Sequence, residues 1–72
     1  MVAGYSDRGE LTPRMMAVLE LAARGRTSAE TANELHLSRS SVTTVRAAIC
    51  ARLGAANLTN AVYIAAQRGQ LH

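Results

Sequence analysis

Apolar residues recur every three or four positions in four separate stretches of this chain, and each stretch is bounded by residues that start or stop a helix. In the first, Met15, Met16, Leu19, Ala22 and Ala23 follow Thr12-Pro13. Thr caps a helix by accepting from a backbone N–H, and Pro fits the first helical position because its missing N–H would have no partner there. Gly25 stands where a left-handed terminating residue belongs. The second stretch opens on Thr27-Ser28-Ala29-Glu30 and ends near Leu35. This is the spacing of a capping box, in which Thr and Glu satisfy each other's backbone donors. The third opens at Ser38, carries Val42, Val45, Ile49 and Leu53, and stops at Gly54. The fourth is capped by Asn57, carries Leu58, Ala61, Val62, Ala65 and Ala66, and stops at Gly69. No strand signal interrupts the series, so the pattern predicts an all-α domain of four helices. Its expected core is Leu19, Ala32, Leu35, Leu37, Val42, Val45, Ile49, Leu53 and Val62. Residues 1–10 have no period and include two Gly, which predicts a flexible tail before a domain at 11–72.

The second and third helices are separated only by His36 and Leu37. So tight a turn makes the two helices cross steeply, and Ala32 is small where they must approach. This is the logic of a helix-turn-helix, whose second helix enters the major groove of DNA. With Val42, Val45, Ile49 and Leu53 turned inward, Arg39, Ser40, Thr43, Thr44, Arg46 and Ala47 are expected to point outward. Arg can bind guanine bidentately, short hydroxyl side chains can meet bases or phosphates, and a Thr methyl can touch a thymine methyl. Thr27 and Ser28 lie at a helix N-terminus, where backbone N–H groups suit a phosphate.

Charge sharpens this reading. The formal net charge is +3, but it is unevenly placed. The first 34 residues hold four Arg and all five acids, and the remainder holds Arg39, Arg46, Arg52 and Arg68 with no acid. A basic second half suits a polyanionic partner such as double-stranded DNA. The single cysteine, Cys50, cannot form an internal disulfide and has no neighbouring base to activate it. His36 and His72 are not spaced as metal ligands, and no phosphate loop, carboxylate pair or nucleophile–base pattern is present. The expectation is a non-enzymatic cytoplasmic protein without cofactor or metal. No apolar run approaches a signal peptide or a membrane span.

The order of short motifs resembles the LuxR/GerE-type DNA-binding domain. They are Leu11-Thr12-Pro13-Arg14, Val18 to Gly25, Thr27 to Ala32, Leu35 to Ser38, Ser41-Val42-Thr43, Ile49 to Gly54, Ala61-Val62 and Gly69-Gln70-Leu71. The resemblance spans roughly residues 10 to 71. It implies a third helix that reads DNA and a fourth that pairs two subunits, for which Leu58, Ala61, Val62 and Ala65 are the candidate contacts. Against the family pattern, Met15 replaces a Glu, Ala29 and Thr43 replace Lys, Val45 replaces a His and Leu58 replaces an Arg. Fewer cations leave a second reading open, in which the fold binds a regulator or polymerase subunit through helix 3 or 4. Members of the family often carry a sensor or receiver domain ahead of this one. With about ten residues before it here, a complete chain would be regulated by abundance, dimerisation or a partner.

Overall fold

A computed structural model describes residues 11–71. The tail expected at 1–10, and His72, lie outside the described residues. Four helices follow one another: α1 (Pro13–Ala23), α2 (Ser28–Leu35), α3 (Arg39–Leu53) and α4 (Leu58–Gln67). Each begins at the cap read from the sequence. The Met15 N–H donates to Thr12 Oγ1 at 3.1 Å, so α1 is capped without the Glu that would complete a box. At α2 the box is complete: the Glu30 N–H donates to Thr27 Oγ1 (3.1 Å) and the Thr27 N–H to Glu30 Oε1 (2.8 Å). Ser38 accepts from the Ser41 N–H at 3.0 Å and Asn57 from the Asn60 N–H at 2.8 Å.

The four helices also close alike. A residue at positive φ turns the chain, and the next N–H reaches back five positions. Arg26 donates to the Leu21 carbonyl after Gly25, Ala55 to Cys50 after Gly54, and Gln70 to Ala65 after Gly69. At α2 the turning residue is His36, at φ 57°, and Leu37 donates to the Ala32 carbonyl at 2.9 Å. His36 thus performs a glycine's task and turns the chain from α2 toward α3.

The core forms where α1, α3 and α4 meet. Met15, Val18, Leu19, Ile49, Leu53, Ala61 and Ala65 cluster there, with Leu35, Val45, Leu58 and Val62 packed against them. Val42 and Ala32 are buried as well. Of the nine expected core residues, Leu19, Ala32, Val42, Ile49 and Leu53 are buried, Leu35, Val45 and Val62 are half-buried against the core cluster, and Leu37 is half-buried outside it. Met15, Val18, Leu21, Ala61, Ala65 and Thr31 complete the core. Among the described residues no helix is long and apolar enough to cross a membrane.

Candidate nucleic-acid interface

The site is built on α3, which its own apolar stripe fixes against the core. Val42, Ile49 and Leu53 are buried, so the opposite side of the helix is free. Arg39, Ser40, Thr43, Thr44, Ala47, Ala48 and Ala51 are all exposed. Five of the six residues expected to point outward do so.

Arg46 does not, and the expectation for it is corrected. It lies about 40° around the helix from Val42, at roughly 100° per residue, and so falls near the buried stripe. Its side chain is half-buried, and a guanidinium NH donates to Ser28 Oγ at 2.6 Å. The Arg46 Nε is buried without a partner. Arg46 thus ties the middle of α3 to the first turn of α2. It also lines a groove of about 210 Å³ with Ala22, Leu58, Thr59 and Val62.

The two threonines at the centre of the free face are held by their own helix. The Thr43 hydroxyl donates to the Arg39 carbonyl and the Thr44 hydroxyl to the Ser40 carbonyl, each at 3.0 Å. Of the three arginines of α3, only Arg39 is exposed; Arg46 and Arg52 are half-buried. Thr27 is exposed beside the half-buried Ser28 at the start of α2. Their neighbour Glu30 has its carboxyl held below its ordinary value of 4.5, chiefly because it accepts the Thr27 backbone N–H. Arg26, close by, pairs with Glu34 at 3.1 Å across an exposed surface, where such a pair adds little stability.

The four residues expected to form a subunit contact are divided by the fold. Ala61 and Ala65 are 0% exposed inside this domain, so neither can touch a partner, and that part of the expectation is corrected. Leu58 and Val62 remain half-buried at the margin. Tyr63, passed over in the sequence, is 62% exposed on the same helix. It lies two positions from both Ala61 and Ala65, about 200° from each, and this is the signal that reveals it. Cys50 is a free, half-buried thiol on α3. Among the described residues no group of three or more His, Cys, Asp or Glu is placed to hold a metal.

Compared with known proteins, residues 9–65 match the family described as Bacterial regulatory proteins, luxR family. No individual curated protein matches the chain.

Proposed function

The chain belongs to the luxR family of bacterial regulatory proteins, and from that premise we propose that it is a sequence-specific DNA-binding transcription regulator whose α3 lies in the major groove. The observation that carries this reading is the free face of α3: Arg39, Ser40, Thr43, Thr44 and Ala47 are exposed together on a helix whose other side is locked into the core. Short side chains let such a helix sit deep in the groove. Thr27 and Ser28 offer the start of α2 to a phosphate, and Arg46 supports that turn through Ser28. Residues 11–72 act as the DNA-binding unit, in the cytoplasm, where the chromosome lies. Two copies pair through α4, with the half-buried Leu58 and Val62 at its margin and the exposed Tyr63 at the contact, and bind a two-fold site. The chemistry is recognition, not catalysis, and needs no cofactor.

A second reading is favoured by the groove beside α4. Arg46 lines it without a carboxylate partner, next to the apolar Leu58 and Val62. A regulator or polymerase subunit carrying an acidic side chain would fit there, and the domain would then be a protein-interaction module.

Selection from a random duplex pool separates the two readings. The DNA reading expects an enriched two-fold motif, weakened by Arg39→Ala. With one exposed arginine on α3 itself, the salt slope should be shallow, about 3 to 5 for a dimer by counterion release. No enriched motif, together with binding indifferent to Arg39→Ala, removes the DNA reading and leaves the protein partner.

A further inference from the structure

We infer that the centre of α3 reads A·T pairs, with Thr43 and Thr44 as the specificity-determining residues; this rests on the placement of α3 in the major groove proposed above. A threonine hydroxyl has one proton and two lone pairs. In both residues the proton is committed to the carbonyl four positions back, at 3.0 Å. What each side chain presents outward is therefore an acceptor oxygen and a methyl group.

The edges of the base pairs in the major groove decide what such a surface fits. Guanine shows two acceptors, N7 and O6, and so meets no donor from either threonine. Adenine offers its N6 amino group and cytosine its N4 amino group as donors, while thymine alone among the four bases adds a C5 methyl. Only an A·T pair supplies both an amino donor for the oxygen and a methyl for the methyl. The next turn of the exposed face continues the same chemistry, since Ala47, Ala48 and Ala51 add methyl surface and no donor. The strong guanine-binding side chain on this face is Arg39, at the first residue of the helix. The structure assigns to each half-site an A·T centre, with guanine confined to the end that faces Arg39.

The test begins with the duplex obtained by selection. Each thymine in turn is replaced by deoxyuridine, which removes only the methyl. The parent protein should lose about fourfold in affinity at each methyl that Thr43 or Thr44 covers, the worth of one buried methyl-sized group. T44S and T43S keep the hydroxyl and lose the methyl, so they should become indifferent to deoxyuridine at their own positions. T43V and T44V keep the methyl and lose the acceptor; they should remain sensitive to deoxyuridine but accept other pairs in place of A·T. These residues are exposed, and an unchanged melting curve for each variant shows that the fold is intact. A motif with G·C at the centre of the half-site, or a parent protein indifferent to every deoxyuridine, overturns this inference and leaves the DNA-binding function standing. Failure to enrich any motif overturns both.

Discussion

Replacing Thr31 with Val should make the domain more stable. Thr31 is 0% exposed, and its hydroxyl oxygen has no hydrogen-bond partner. A hydroxyl taken from water without replacement costs about 1–3 kcal/mol by mutational measures. Valine has nearly the same shape, is β-branched as threonine is, and has a similar helix propensity, so the exchange leaves packing and α2 almost unchanged. The expected gain is about 1–2 kcal/mol. For a domain of this size each kcal/mol moves Tm by about 4–8 °C, so the midpoint should rise by roughly 5–15 °C. Thermal and urea melts followed by far-ultraviolet circular dichroism measure it, with an unchanged urea m-value showing that the unfolding reaction is the same. T31A is the control: it deletes the hydroxyl together with packing atoms and should be less stable than T31V. A valine variant no more stable than the parent would show that the hydroxyl is satisfied in solution, and would refute the reasoning.

Three further outcomes follow from other residues. H36G should stabilise the domain by up to about 1 kcal/mol, because relief of a left-handed side chain exceeds the entropy that glycine loses on folding; a lower Tm would show that His36 makes a compensating contact. Glu30 has a depressed pKa, so its contribution is fully present above its ordinary value of 4.5 and is lost as pH falls through the lower folded value. The Tm gap between the parent and E30A should accordingly be level near neutrality and shrink below that pH, and a gap that widens in acid would contradict the capping role. Sedimentation of L58R beside the parent tests the subunit contact: the parent should dimerise and the variant should not, with melting curves confirming that both are folded. A parent that is monomeric at high micromolar concentration, with and without operator DNA, rules the contact out.

The helices were legible because their signals are local. Thr12-Pro13, Thr27 with Glu30, Ser38 and Asn57 act within one turn of themselves, and no tertiary contact had to be known to place them. The turn at His36 was less legible, since its positive φ is uncommon for a residue with a side chain and nothing in the sequence demands it. The error at Arg46 has a geometric cause. A stripe through Val42, Ile49 and Leu53 passes between positions 45 and 46, one on each side, and a 3.6-residue period does not choose between them. Hydrophobicity argues for Val45 alone, but the fold half-buries both. The long methylene stem of arginine accepts this, with the charged end carried to Ser28. On α4 the period placed Leu58, Ala61, Val62 and Ala65 on the packed side, while Ala66 is exposed, but alanines are small enough for either a core or an interface. Only the packing of α1 and α3 against Ala61 and Ala65 decides for the core.

The inward turn of Arg46 also bears on how such a regulator would find its target. Attraction to arbitrary DNA scales with the phosphates a protein neutralises. With Arg46 drawn to Ser28, α3 offers one exposed arginine, Arg39. If α3 makes the DNA contacts, it would neutralise fewer phosphates of a non-target duplex than it would with Arg46 turned outward. Chromosomal DNA, with its great excess of competing sites, would then sequester fewer copies than it would of a domain with Arg46 exposed. Occupancy of the true site would then rest more heavily on base contacts and on the pairing of two copies.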